Sequence, residues 1–427
     1  MKKHTFSIKT FGCKVNQYEE QVLRENLNRF GFEQAAKGDP DFFIINSCTV
    51  TEEADRKTKR SIRRVKRDFP GTKIIVTGCL AVLDEDVKNL QTLSEIWKII
   101  SGNKKYDIPE YLYSYIHGKH PQESAKIEIS EFNSHTRAFL KIQDGCNNKC
   151  SYCKVNMVRG GIWSRKEDDL VKELCRLLDR GYKEIVLTGI CLGAWQGSEG
   201  KRLADLFDRF ERINGDFRIR LSSIDPLYID KYFLKKMMDS SKLCRHLHIP
   251  LQHGADRILS SMNRNYTAEE YRRITDAIRE KMPGIGLSID VIAGFPGETT
   301  EDFDKMLTFL RKIKPSRVHV FKYSERKGTR SSTYENKVSL NEAGRRSEII
   351  RTLGSNFKLD FCKKWIKKKL QMLVERKSSD GYFRGYSGEY VEVRLKNCSN
   401  IRSGALIIVD PNAIDESVPC LLVEGHG

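Results

Sequence analysis

Cys146, Cys150 and Cys153 fall in the stretch GCNNKCSYC, with three residues between the first pair and two between the second. Thiols at that density in one short loop suit an iron–sulfur cube, in which each iron takes a thiolate ligand. Three protein ligands leave one iron open, and an open iron can bind and activate a small molecule, so the spacing reads as catalytic. A zinc site and three buried free thiols are the alternatives. Structural zinc usually draws further ligands from a second C-x-x-C or H-x-x-x-H pair, and none follows here. Three more cysteines share a different regularity. The apolar runs TFSIKTFG, DFFIIN and KIIVTG each lead into one: Cys13 after Gly12, Cys48 after Asn46 and Ser47, and Cys79 after Gly78. Ligands of open parallel sheets gather at the carboxyl ends of the strands. These three thiols are therefore predicted to converge at one sheet edge as a second three-thiolate metal site. For each taken singly, a small buried hydrophobe is the alternative.

The elements that must position these thiols are legible as an α/β chain in three parts. Residues 1–120 alternate short β-branched or aromatic runs with helical stretches, about 17–30 and 51–67, and predict a flavodoxin-like parallel sheet covered by helices. Residues 132–338 carry six strand candidates, in RAFLKIQDG, EIVLTG, FRIRLSS, RHLHIPL, IGLSIDVIAGF and RVHVFKY, separated by helices near 167–180, 228–239, 267–281 and 300–313. Six such units are fewer than the eight that close a full barrel, so an open, partial (βα)6 barrel is expected, with the Cys146 loop at its strand tops. A basic helix over 339–369 links this to residues 370–427, where about five short strands divided by SSDG, GYSGE and DPN turns predict a small β-barrel.

Composition limits the partners. The chain has 427 residues, long enough for two or three domains, and no apolar run long enough to span a bilayer. Twelve cysteines and a start, MKKHTFSIKTFG, without the apolar core of a signal peptide point to a reducing, cytoplasmic setting. Lys and Arg outnumber Asp and Glu by 75 to 57, a net charge of +18, which favours a polyanion such as nucleic acid. Eight of these cations lie between Arg56 and Arg67, and a second block runs from Lys358 to Lys369. A solvated helix face is the alternative for either block alone, and the two blocks together favour contacts to a phosphate backbone.

With both cysteine sets in view, the chain resembles the radical S-adenosylmethionine (SAM) methylthiotransferases over nearly its whole length. The resemblance rests on GCKVNQYE, NSCTVTEEADRK and VTGC around the first set, on RAFLKIQDGCNNKCSYC with Tyr152 before the last cysteine, and on RLSSIDP, HLHIPLQ, MNRNYT and GFPGET. Around Cys13 it is similar to the branch that thiomethylates N6-threonylcarbamoyladenosine in tRNA. The isopentenyladenosine branch typically shows GCQMN there, and the ribosomal-protein branch GCPKN. These two substrates, and a non-catalytic RNA-binding iron–sulfur protein, are the rival readings.

The resemblance implies an N-terminal methylthiotransferase domain, a radical SAM barrel and a TRAM β-barrel. It also implies two [4Fe-4S] clusters, on Cys13, Cys48 and Cys79 and on Cys146, Cys150 and Cys153. The second would cleave SAM to a 5′-deoxyadenosyl radical that acts at carbon 2 of the modified adenine, and the first would carry the sulfur. A tRNA anticodon stem-loop and a flavodoxin- or ferredoxin-type reductant follow as partners; oligomeric state leaves no mark in the sequence. The implied SAM pocket comprises Leu187, Thr188 and Gly189 at the second strand end, Ser222 and Ser223 at the third, Gln252 at the fourth, and Gly294, Phe295 and Pro296 at the fifth, where a glycine would allow close approach to adenine. Turn chemistry is the alternative for the glycines. Arg159 and Arg165 are read as SAM or phosphate contacts or as surface residues. His246 and His248 are expected to alternate, so that only one faces the barrel interior. Three positions depart from the family pattern: Cys191 stands where histidine is usual, Gln252 is followed by His253-Gly254-Ala255 in place of Ser-Gly-Ser, and Arg159-Gly160-Gly161 replaces RGP.

Overall fold

Five parallel strands open the computed structural model, which describes residues 3–36, 38–132, 135–378, 381–396 and 401–423. They are β1 (Thr5–Thr10), β2 (Glu33–Gln34), β3 (Phe42–Ser47), β4 (Lys73–Gly78) and β5 (Ile96–Ile99), in the order 2-1-3-4-5 expected of a flavodoxin-like sheet. Successive residues of β3 point to opposite faces, and both are covered. Ile44 packs with Phe6, Leu23, Leu27 and Ile108, whereas Ile45 packs with Ile62, Val65 and Val76. The covering helices are α1 (Lys14–Arg29), α2 (Glu52–Asp68), α3 (Asp84–Gln91) and α4 (Ile108–His117). In α2 the Thr51 hydroxyl accepts from the Ala54 amide, acids fill the first turn, and Lys66 and Arg67 sit in the last, as the helix dipole favours. Thr58, Ser61, Ile62 and Val65 form its buried face, which leaves Arg56, Lys57, Arg60, Arg63, Arg64 and Arg67 exposed.

The barrel strands are β6 (Ala138–Lys141), β9 (Glu184–Thr188), β10 (Arg218–Leu221), β11 (His246–His248), β12 (Gly286–Ala293) and β13 (Arg317–Lys322). A two-residue pair, β7 (Gln143–Asp144) and β8 (Trp163–Ser164), ties the base of the cysteine loop. Parallel ladders join β6, β9 and β10, and likewise β11, β12 and β13. Bridges at Ile219–Leu243 and Ser223–His248 connect the two halves. Among the described residues no ladder joins β13 back to β6, so the barrel is partial, as expected. Helix α1 fills part of that open side: Tyr18 and Val22 belong to the same apolar core as Leu140, Leu174 and Leu187. The barrel helices include α7 (Leu203–Glu211) and the short α5 (Val155–Arg159) and α9 (Asp256–Ser261) beside the four predicted ones, which are α6 (Glu167–Asp179), α8 (Lys231–Asp239), α10 (Ala268–Lys281) and α11 (Thr300–Ile313).

Helix α12 (Leu340–Lys363) packs on β13 and ends well before the predicted 369. Beyond it Lys367 adopts a left-handed φ of 58° and donates its amide to Pro411 O at 2.7 Å, a tertiary bond that turns the chain. Among the described residues the last strands number six rather than about five: β14 (Leu370–Lys377), β15 (Phe383–Ser387), β16 (Glu392–Leu395), β17 (Leu406–Val409), β18 (Ala413–Asp415) and β19 (Cys420–Val423), in the order 17-14-15-16-19-18. This mixed sheet docks on the amino ends of the barrel strands. Arg218 donates to Gln371 O and Tyr386 O, each at 2.7 Å, and Arg220 to Ser387 O at 2.9 Å and Gly388 O at 3.1 Å. Both guanidiniums also grip the buried Glu184, at 2.6 and 2.7 Å.

Candidate active site

The three strand ends of the N-terminal sheet bring Cys13, Cys48 and Cys79 together. Cys13 is exposed at the start of α1; Cys48 and Cys79 are buried. Two glycines allow the approach. Gly12 has a φ of 104°, and a Cβ there would lie 2.8 Å from the Cys48 sulfur. Gly78 has a φ of 90°, and its Cβ would meet Ser47 O at 2.4 Å. Asn16 and Asn46 brace the turns: Asn16 Nδ2 donates to Phe11 O at 2.7 Å and Ser47 O at 3.1 Å, and Asn46 Nδ2 to Asn16 O at 3.1 Å. The thiols feel one another's charge, Cys79 raising both Cys13 and Cys48. Burial is the larger cause and pushes Cys48 up to about 12.

The second triplet caps the barrel. The Asn148 amide donates to Cys146 Sγ and the Val155 amide to Cys153 Sγ, each at 3.4 Å, and the Val50 amide donates likewise to Cys48 at 3.5 Å. Each donor is the amide two residues beyond the thiol, a local geometry that places an N–H on sulfur. Arg264, from MNRNYT, lies 3.1 Å from Cys150 Sγ and pairs with Asp225 at 2.5 Å. Cys191 donates its thiol to Cys146, and that hydrogen bond is the main cause that lowers Cys146 to about 7, while burial pushes Cys153 up to about 12.

A buried ion cluster joins the triplets. Glu19 on α1 accepts from Arg159 Nη1 at 2.5 Å, Lys105 at 2.6 Å and Lys141 at 2.8 Å. Arg159 also bonds Asn16. Burial opposes the Glu19 charge, but the three cations outweigh it and hold the carboxyl well below its usual range. Next to it, Arg165 donates to Tyr18 Oη at 2.8 Å and Glu173 at 2.7 Å. Arg159 and Arg165 are therefore neither surface residues nor free anion contacts, since both are committed to fixing α1 on the barrel. A cavity of about 190 Å³ beside Cys79 is walled by Asp144, Val158 and Arg159 from the barrel side.

The predicted pocket residues divide. Gln252 adopts an uncommon φ of 69° and lines a cavity of about 220 Å³ with Tyr152 of the cysteine loop and Val50 and Thr51 beside Cys48. Thr188 and Gly189 end β9, where a Cβ on Gly189 would lie 2.8 Å from Gln143 Oε1. Leu187 and Phe295 are core residues, and Pro296 is buried. The Gly294 and Phe295 amides donate to Glu298 at 2.6 and 3.0 Å, and a Cβ on Gly294 would strike Ala343 of α12 at 2.5 Å. The close approach at Gly294 is thus to a helix. Ser223 bridges to His248, and Ser222 lines the barrel lumen.

That lumen, about 400 Å³, corrects the reading of the histidines. His246 and His248 both line it, because residues two apart on a strand share a face. His246 Nε2 lies 2.8 Å from Ser288 Oγ, His248 Nε2 lies 2.8 Å from Asp290, and His248 stacks on His319. Burial, with nearby cations including Arg317 and Lys14, holds His246 well below its ordinary pKa and His319 at about 4. Lys14, Arg264, Cys191, Asp290 and His319 went unmarked as site residues, although Lys14 adjoins Cys13 in sequence.

Residues 140–310 match the family described as Radical SAM superfamily, and residues 5–102 match Uncharacterized protein family UPF0004. The Thermotoga maritima threonylcarbamoyladenosine tRNA methylthiotransferase MtaB is 34% identical, over 91% of this chain and 90% of its own. The chain belongs to the radical SAM methylthiotransferases. A methylthiotransferase of the same name from Bacillus subtilis is 31% identical over 93% of this chain and 91% of its own. The tRNA-2-methylthio-N(6)-dimethylallyladenosine synthase of Thermodesulfovibrio yellowstonii is 33% identical over 96% of each chain. In fold, the methylthiotransferase chain is similar to the radical SAM methyltransferase TsrM from Kitasatospora setae, with a TM-score of 0.56 and 14% identity over 75% of this chain and 73% of that one.

Radical SAM methylthiotransferases work with two [4Fe-4S] clusters and SAM, and the donor sets here suit them. Among the described residues, no three His, Cys, Asp or Glu side chains are drawn round a single metal ion. A cube distributes its thiolates over different irons, and so takes thiols that are neighbours without converging on one point. Amide N–H groups on Cys48, Cys146 and Cys153, and the Arg264 guanidinium on Cys150, are the contacts that stabilise sulfur ligands carrying negative charge. Buried thiols with raised pKa values release their protons when a metal takes their place.

Proposed function

We propose that this enzyme converts N6-threonylcarbamoyladenosine beside the tRNA anticodon to its 2-methylthio derivative. Cys13, Cys48 and Cys79 hold one cluster, and Cys146, Cys150 and Cys153 the other. When bound, the clusters and SAM supply the radical, the sulfur and the methyl group, chemistry that no side chain can supply at an unactivated aromatic C–H bond. The protein's own part is placement. Thr188, Gly189, Ser223 and Gln252 present polar groups at the strand tops for SAM, and Tyr152 with Thr51 flanks the space between the two thiol sets. Arg159 and Glu19 hold the sets at a fixed separation.

The observation that carries the substrate is the match, at 34% and 31% identity over 90% or more of each chain, to relatives named for threonylcarbamoyladenosine. The exposed cations of α2, together with Lys363 at the end of α12 and Lys364 and Lys367–Lys369 beyond it, suit the phosphates of an anticodon stem-loop. A flavodoxin- or ferredoxin-type protein delivers the electron, and the enzyme works in the cytoplasm, a reading that a tRNA substrate and thiols serving as metal ligands support. Mass spectrometry of tRNA nucleosides from cells with and without the gene tests this: the methylthio threonylcarbamoyl nucleoside disappears with the gene. The match to dimethylallyladenosine synthases names the rival, and loss of the dimethylallyl counterpart instead would transfer the assignment to it.

A further inference from the structure

We propose that the barrel lumen seats the carboxylate of the substrate's threonylcarbamoyl group, with Lys14 as counter-charge and Ser222, His246 and His248 as polar walls; this rests on the substrate reading above. The lumen, about 400 Å³, is of the size that takes small-molecule groups. Its charges do not balance. Arg220 is committed to Glu184 and to backbone carbonyls, and Arg137 to Glu184 and Glu375. Asp290, the acid nearest the histidines, is bonded to His248. Lys14 also lines the lumen, and among the described residues no carboxylate lies within ion-pair distance of it.

The polar walls are likewise incomplete. Ser222 Oγ and His246 Nδ1 are buried without a hydrogen-bond partner, the latter in a residue only 4% exposed. Buried polar atoms left unmade are costly, and a ligand rich in oxygen would satisfy both. His246 Nε2 and Ser288 Oγ are 2.8 Å apart, and in the tautomer in which Nε2 accepts, the unpartnered Nδ1 carries the proton and can donate it to an anion.

Position favours the same occupant. The lumen shares Asp290 and Phe321 with the cavity between Tyr152 and Thr51. An adenine held between the thiol sets can therefore extend its N6 substituent down the barrel. A threonylcarbamoyl group brings a carboxylate and a hydroxyl to Lys14, Ser222 and His246. A dimethylallyl group would leave all three unpaired, which is how a polar site rejects an apolar analogue.

The test uses anaerobically reconstituted enzyme and three anticodon stem-loop RNAs, bearing the threonylcarbamoyl group, its carboxamide or a dimethylallyl group. Equilibrium binding and kcat/KM for methylthiolation are measured for each. Wild type is expected to prefer the carboxylate over the carboxamide by roughly 10- to 100-fold. Lys14→Met brings that ratio near one and Lys14→Arg retains it. Iron and sulfide content reports whether the adjacent cluster has loaded, and Ser222→Ala, away from the cysteines, narrows the ratio several-fold as an independent readout. Equal use of carboxylate and carboxamide by wild type overturns the inference and leaves the substrate reading standing. Methylthiolation of the dimethylallyl RNA alone overturns both.

Discussion

Arg159 and Glu19 form a buried ion pair, 2.5 Å between Nη1 and Oε1, that couples the two cysteine sets. Arg159 follows Cys153 by six positions, and Glu19 follows Cys13 by six. Each partner is therefore tied by a short stretch of backbone to one cysteine set, and the pair holds the two sets in a fixed relation to each other.

Replacing Glu19 with Gln leaves the buried Lys105 without an anionic partner among the described residues, and Lys141 and Arg159 to share Asp144 alone. A loss of about 3–5 kcal/mol is expected, read as a lower urea midpoint. The pH dependence has a definite sign. Because the Glu19 carboxyl is held below its ordinary 4.5, its stabilisation is present above that pH and is lost as pH falls through the depressed value. Glu19→Gln should flatten the acid limb of the stability profile.

Cys146→Ala should abolish 5′-deoxyadenosine formation while iron remains at the N-terminal set. Cys13→Ala should spare SAM cleavage and stop thiomethylation. Isotope-tracked SAM and iron analysis after reconstitution check both, and cleavage by Cys146→Ala would refute the assignment of the loop.

Gly12→Ala drives a Cβ to 2.7 Å from Cys48 Cβ at a backbone conformation that alanine avoids. Iron is expected to fall from about eight to about four per chain, one cube of two, with radical formation retained. Full iron content would show that the strand ends tolerate the shift.

Binding of the anticodon stem-loop should weaken as salt rises. Removing Arg60 and Arg63 from the exposed face of α2 should reduce the slope of log K against log salt by about one for each phosphate left without its cation. An unchanged slope would place the phosphates elsewhere.

Much of the site is readable from residue patterns. Three apolar runs ending at Cys13, Cys48 and Cys79 point to a common sheet edge because strand ends are local features and parallel topology aligns them. Helices α3, α4 and α7 and strand β5 escape such a reading. The end of α12 falls short of its expected position because Lys367 turns on a bond to Pro411, 44 positions away in sequence (411 − 367). Expecting His246 and His248 to face opposite ways confuses alternation between neighbours with alternation at a spacing of two. Arg159 and the MNRNYT stretch that holds Arg264 are visible in the sequence, but their partners are not, and Lys14 carries no local signature; only the folded chain brings a guanidinium to Cys150 or an ammonium into the lumen.

Tyr390, held over Arg137, Arg220 and Arg317 at 4.7–5.5 Å from ring centre to guanidinium, stoppers the barrel from below. Removing the strands after residue 370 would therefore do more than weaken a grip on RNA. It would let bulk water rise toward the place where a carbon-centred radical is to be made, and water exclusion is what keeps such species on course. A truncated enzyme should consume SAM in futile turnover, with yield per cleavage lost before affinity is.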